Sequence, residues 1–235
     1  MIVDNLTRIL TTIATAARRS GRHPDTVQLV AVSKQVGVEA ICEAVAGGQM
    51  LFGENYLQEA ADKIPQLPPT VQWHFIGHLQ SNKAAQVAEL FTMVETVDRF
   101  KVAKALDLHA KRLDKHLSIL IQVNIGREKQ KSGVMPEETT ELLHAISAET
   151  NLRVRGLMAL PPFFSDPEKS RPYFRALREL AQQLAVKKLF HDNDAIELSM
   201  GMSNDYPVAI EEGATIVRVG TALFGSRMKE GVEKK

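Results

Sequence analysis

The chain has 235 residues, with 29 Lys and Arg against 28 Asp and Glu and a formal net charge of +1 at pH 7. So even a balance gives no electrostatic footprint for nucleic acid or an anionic membrane as the main partner. A single cysteine, Cys42, excludes an intramolecular disulfide, and no apolar run approaches the length needed to span a bilayer.

The opening Met1-Ile2-Val3-Asp4-Asn5-Leu6-Thr7-Arg8 lacks the basic start and continuous apolar stretch of a secretory signal, so a soluble cytoplasmic protein is expected. Helical periodicity over 5–19 predicts an N-terminal helix, ended by the break Ser20-Gly21-Arg22-His23-Pro24-Asp25. The apolar run 27–33 then reads as a buried strand closed by Lys34. Burial disfavours the ammonium form of a lysine and prepares its amine to form a Schiff base with an aldehyde. A solvated lysine in a strand-to-helix loop is the plainer alternative. The next helix, 38–46, carries Cys42, expected to be a buried small hydrophobe.

Further strands are predicted at 50–52, 71–76, 92–96, 117–124, 152–158, 195–199 and 215–219. Helical stretches fall between them at 56–64, 82–90, 99–112, 136–148, 168–184 and 206–211. Eight strands alternating with helices predict parallel pairing through right-handed crossovers, and hence a single (β/α)8 TIM-type barrel over 1–235 with an extra N-terminal helix. In such a barrel, functional groups collect where the strands end. The residues there are Ser33-Lys34, Gly53-Glu54-Asn55, Gly77-His78, Asp98, Asn124, Met158-Ala159, Ser199 to Ser203 and Gly220-Thr221. Ordinary turn composition also favours Gly, Asn, Asp and Ser at these places.

The last two units are more specific. Ser199-Met200-Gly201-Met202-Ser203-Asn204-Asp205-Tyr206 leads into a helix, so its backbone amides could cradle a phosphate, and Gly220-Thr221 supplies a second turn at the end of the final strand. Barrels commonly build phosphate sites from these two loops. Arg218 lies inside an otherwise apolar strand and is costly to bury without an acceptor or anion. Either it forms a salt bridge closing the barrel, with Glu197 as acceptor, or it contacts a cofactor.

These segments resemble the pyridoxal phosphate homeostasis proteins, whose fold is like the N-terminal barrel of alanine racemase. The resemblance rests on Ala31-Val32-Ser33-Lys34, Phe52-Gly53-Glu54-Asn55-Tyr56 and His74-Phe75-Ile76-Gly77-His78-Leu79-Gln80-Ser81-Asn82-Lys83. Gly156-Leu157-Met158, Leu198 to Tyr206 and Arg218 to Gly225 extend it over nearly the whole chain.

The resemblance implies that Lys34 carries pyridoxal 5′-phosphate (PLP) as a Schiff base. Its phosphate would be held by Ser203, Gly220 and Thr221 with the 202–204 backbone, while Arg218 faces the pyridine nitrogen. Asn55 would lie near the ring, with His78 and Met200 in the same site. Lys131, in Gln130-Lys131-Ser132-Gly133-Val134, matches a family feature, but its plainest reading is a solvated basic loop with Arg127 and Lys129.

The implied function is PLP homeostasis and amino-acid pool balance without robust catalysis, through transient contact with PLP-dependent apoenzymes. An amino-acid racemase or related PLP enzyme with weak activity is the alternative, and a PLP-independent aldolase barrel using Lys34 is a third. An alanine racemase takes its second base from a tyrosine of a separate β-domain across a dimer. Only 224–235 follow the final turn here, so that domain is not expected, and neither Tyr56, Tyr173 nor Tyr206 falls at a second-base position. No extended heptad pattern announces a dimer, and a monomer is expected.

Overall fold

The computed structural model describes residues 1–225; the charged tail at 229–235 lies outside them. The first helix, α1 (Ile2–Arg19), buries Leu6, Ile9, Ile13, Ala16 and Ala17. That spacing makes one apolar stripe, packed against α8 (Tyr206–Glu211) and α9 (Thr221–Phe224) at the other end of the chain.

Between them lie β1 (Gln28–Val32), α2 (Val38–Ala46), β2 (Leu51–Glu54), α3 (Leu57–Lys63), β3 (Gln72–Phe75) and α4 (Ala84–Leu90). Then come β4 (Met93–Val97), α5 (Phe100–Arg112), β5 (Ser118–Val123), α6 (Thr139–Glu149), β6 (Arg153–Ala159), α7 (Arg171–Val186), β7 (Glu197–Ser199) and β8 (Ile216–Val219). The strands pair in parallel in chain order, and β1 pairs with β8 to close the barrel. The expected (β/α)8 architecture is thus observed.

Strand alternation sorts the side chains into two layers. Val30, Met93, Leu120, Met158 and Ile216 form a cluster of their own inside the barrel. Their strand neighbours at odd offsets, among them Leu29, Ala31, Phe52 and Val217, join the larger core beneath the helices. Each fully buried residue of the inner cluster is worth about 1.5–3 kcal/mol of transfer free energy, enough to carry a ring of polar residues above it.

Two expectations change. Strand β2 runs on through Gly53 and Glu54, which puts Glu54 inside the structure, fully buried, rather than in a loop. Cys42 is exposed, not buried. Helix α2 buries Ile41 and Ala44, and Cys42 follows Ile41 by one residue, about 100° further round the helix.

Candidate functional site

The inward direction at the C-terminal rim follows from the register below it. Because Val30 points into the barrel, so does Val32, and Lys34 continues that line; on β8 the same parity turns Ile216, Arg218 and Gly220 inward. Those groups meet in a cavity of about 500 Å³ lined by Val32, Lys34, Asn55, Met202, Ser203, Arg218, Gly220 and Thr221, with Lys131, Met158 and Asp205. This size is typical of small-molecule sites. Lys34 is half-buried, and Phe163, 79% exposed, stands at the rim.

The loop after β7 is tightly wound. Gly201 has φ +92°, and a Cβ there would come within 2.6 Å of that of Ala209, so only glycine allows α8 to approach this closely. The Met202 N–H donates to Asp205 Oδ1 at 2.8 Å, and the Tyr206 N–H donates to the Met202 carbonyl at 2.9 Å. Ser203 Oγ accepts from the Ala222 N–H at 3.3 Å, which ties the loop after β7 to the turn after β8 and leaves the serine hydroxyl hydrogen available to an anion. Asn55 is fixed by a different contact. A Cβ on Gly77 would meet the Asn55 carbonyl oxygen at 1.9 Å, so the β2 and β3 ends lie against each other through a glycine.

Arg218 is buried beneath this cavity. It donates to Ser199 Oγ at 2.5 Å and to the Ala159 carbonyl at 2.9 Å, and lies 3.9 Å from Glu95 Oε2. Glu95 also accepts from Ser199 Oγ at 2.5 Å and is 2.7 Å from His74 Nδ1. Full burial would push the Glu95 carboxyl up, but the hydrogen bond and charge of His74, the charge of Arg218 and the Ser199 hydroxyl together hold it below its ordinary value. Burial pulls the Arg218 guanidinium below its ordinary value, opposed by the charges of Glu95 and Asp205. The expected Arg218–Glu197 salt bridge is not formed. Glu197 pairs instead with Arg155 at 3.2 Å; Ile216 is the register partner of Ser199, so Arg218 lies two residues nearer the rim, and its guanidinium meets Ser199 and stays clear of Glu197.

Two expected site residues lie elsewhere. Met200 points away from the cavity into the core under the helices, since it follows the inward Ser199 by one residue. His78 is exposed and lines a separate cavity of about 370 Å³ with Tyr56, Gln80 and Lys83, joined to the first through Asn55. Its ring faces Ser132 Oγ at 3.2 Å.

Lys131, by contrast, is on the wall of the Lys34 cavity. It donates to the carbonyls of Leu160 and Pro161 and pairs with Glu128 at 2.5 Å. The buried Glu54, Lys63, His74 and Glu95 carried no assigned role in the sequence. A titratable residue inside a β-rich run, as in Met93-Val94-Glu95-Thr96-Val97, was the available signal. Among the described residues, no three His, Cys, Asp or Glu come together to hold a metal ion, and no helix is long and apolar enough to cross a membrane.

The donor set suits an anionic aromatic aldehyde: a lysine on one wall, hydroxyls and glycine turns on the other, and an arginine below. Comparison with known proteins agrees. A family model described as alanine racemase, N-terminal domain, matches residues 5–228. The chain is 47% identical to the pyridoxal phosphate homeostasis protein of Vibrio cholerae, covering 96% of both, and 44% identical to the protein of that name from Escherichia coli, covering 96% of this chain and 97% of that one. The structure of PipY from Synechococcus elongatus with PLP bound matches with a TM-score of 0.82 at 36% identity, over 96% of this chain and 100% of that one. Alanine racemase from Corynebacterium glutamicum matches with a TM-score of 0.67 at 20% identity, over 95% of this chain and 62% of that one, a likeness of fold alone.

Proposed function

This chain belongs to the alanine racemase N-terminal domain family and, within it, to the pyridoxal phosphate homeostasis proteins, and from that premise we propose that it binds PLP as a Schiff base on Lys34 and buffers the cofactor without robust turnover. The observation that carries this reading is the single cavity shared by Lys34, Ser203, Gly220, Thr221 and Arg218. When bound, PLP supplies an aldehyde and an electron-withdrawing ring.

The chain's own residues limit what that ring can do. Arg218, a lasting cation hydrogen-bonded from below, opposes protonation of a ring nitrogen placed against it and so weakens the ring as an electron sink. Ser203, Thr221 and the amides of both turns hold the phosphate, and Asn55 borders the ring side of the cavity.

None of Tyr56, Tyr173 and Tyr206 lines the cavity: Tyr56 lies in the neighbouring one, Tyr173 stacks on Phe164, and Tyr206 is buried in the core. That placement favours a carrier over a two-base racemase. The protein then works in the cytoplasm as a monomeric unit spanning 1–235, meeting PLP-dependent apoenzymes transiently.

The test is a visible absorption spectrum of PLP-loaded protein, followed by incubation with apo PLP enzymes and with a panel of amino acids. Transfer of cofactor without amino-acid turnover is expected. Efficient racemisation or transamination would overturn the carrier reading, and a colourless protein that is trapped by borohydride only with a phosphorylated aldehyde substrate would make it an aldolase.

A further inference from the structure

We propose that Glu54 and Lys63 are positioning residues for Lys34, gripping the turn that carries it from the side of the barrel wall away from the cavity. The inference rests on the reading of Lys34 as the cofactor lysine.

Neither residue lines the cavity. On β2, Leu51 packs against the inner cluster, and a Cβ on Gly53 would meet Val30 and Ile76, so Phe52 and Glu54 turn outward beneath α3. There the Glu54 carboxylate is fully buried, and the Lys63 side chain is only 11% exposed. Lys63 Nζ has three partners, and all are close: Glu54 Oε1 at 2.8 Å, Glu59 Oε2 at 2.8 Å and the Ser33 carbonyl at 2.9 Å.

Ser33, the residue before Lys34, is held at every polar atom. Its hydroxyl donates to Glu54 Oε1 at 2.8 Å, its N–H donates to the Gly53 carbonyl at 3.0 Å, and its carbonyl accepts from Lys63. Gln35, the residue after, has φ +58°, a left-handed conformation that a non-glycine residue adopts only at a cost. Its N–H donates to Glu59 Oε2 at 2.8 Å, on the same carboxylate that Lys63 holds. The other oxygen of Glu54 accepts from the Asn55 N–H at 3.2 Å. The buried ion pair therefore anchors the backbone before Lys34 and the start of the segment bearing Asn55, and through Glu59, held by Lys63, the backbone after it.

Stability alone does not account for this arrangement. A buried ion pair costs two desolvations, and a well-packed apolar pair in its place is often as stable. What an apolar pair cannot do is hold Ser33 and Asn55 at fixed points and keep Glu59 in place against Gln35. The step that depends on this is condensation: Lys34 Nζ attacks the aldehyde carbon, a C=N bond replaces the C=O bond, and the oxygen leaves as water with the two amine protons. Displacing a reacting atom by about 1 Å can slow such a step on the order of a hundredfold.

The test follows PLP addition to the cofactor-free protein by absorbance, with borohydride trapping and peptide mapping to count adduct on Lys34, and with total bound PLP measured separately. Lys63→Met should form the Lys34 adduct on the order of ten- to a hundredfold more slowly, while total PLP capture by the phosphate loops is retained. The double variant Lys63→Met with Glu54→Leu should recover thermal stability without recovering the rate. Should Lys63→Met not fold, Glu54→Gln, which keeps the shape but removes the charge and leaves one acceptor oxygen where Ser33, Lys63 and Asn55 now share two, is read in the same way. A wild-type rate and absorption maximum in a folded single variant would overturn the inference, as would a double variant that regains rate together with stability. A wild-type protein that forms no Lys34 adduct would overturn the site reading itself and take this inference with it.

Discussion

Two carboxylates are wholly enclosed beside the same cavity, yet they lie on opposite faces of the barrel wall. Glu95 points inward, where His74, Ser199 and Arg218 surround it; Glu54 points outward, where Lys63 comes down from α3. The inner network fixes a cation beneath the cavity floor. The outer one fixes backbone, and reaches the cavity only through Ser33, Gln35 and Asn55. Burial of a charge thus serves two ends in one barrel, and parity along the strand decides which.

The largest effect that can separate the two regions is removal of Lys34 itself. Lys34→Ala should abolish borohydride-trapped PLP completely yet leave noncovalent PLP and both networks in place; complete loss of PLP binding by equilibrium dialysis would show that the phosphate loops hold less than assigned. Next is the inner network. Arg218→Met leaves the Glu95 charge without its buried cation and should cost about 3–5 kcal/mol in urea unfolding, with a shifted cofactor spectrum in whatever folds. An unchanged spectrum would place Arg218 away from the ring.

Ser203→Ala and Thr221→Ala should each weaken PLP retention by about 0.5–3 kcal/mol, the range for one hydrogen bond, up to that with a charged group. Equal release rates in both variants and wild type would remove them from the site.

Acid sharpens the inner side further. The folded-state pKa of Glu95 lies below its unfolded value, so the stability it contributes is fully present above the ordinary carboxylate value of 4.5 and is lost as pH falls through the folded value. Urea midpoints for wild type should therefore fall more steeply on the acid side than those for Glu95→Gln; identical slopes would deny Glu95 that part. The smallest effect belongs to Cys42. Since it is exposed, Cys42→Ser should change stability by within about 0.5 kcal/mol, and a thiol reagent should label the folded wild type without a denaturant.

The barrel itself was legible because eight β-rich runs alternate with helical periods, and the cavity lysine because Lys34 closes the first of them. The loops after β7 and β8 could be read for the same reason, since glycine and hydroxyl residues stand where strands end. What could not be read was parity. A one-residue step turned Met200 into the core while Ser199 faces inward, and it turned Cys42 away from the face of Ile41 and Ala44. Of the two alternatives for Arg218, the salt bridge with Glu197 is the one not formed, because the register between β7 and β8 is set by three-dimensional pairing at Ser199 and Ile216. Glu54 reads as a loop residue because a Gly-Glu-Asn sequence has turn composition, and its partner Lys63 is contributed by a separate helix.

Whether Lys34 is the residue joined to PLP is a question of covalent chemistry. Reduction of the PLP-loaded protein with borohydride, followed by proteolysis and mass spectrometry, measures this directly. The modified peptide should carry the adduct on Lys34, with none in Lys34→Ala; an adduct confined to Lys131, or no covalent cofactor in a protein that has bound PLP, would contradict it.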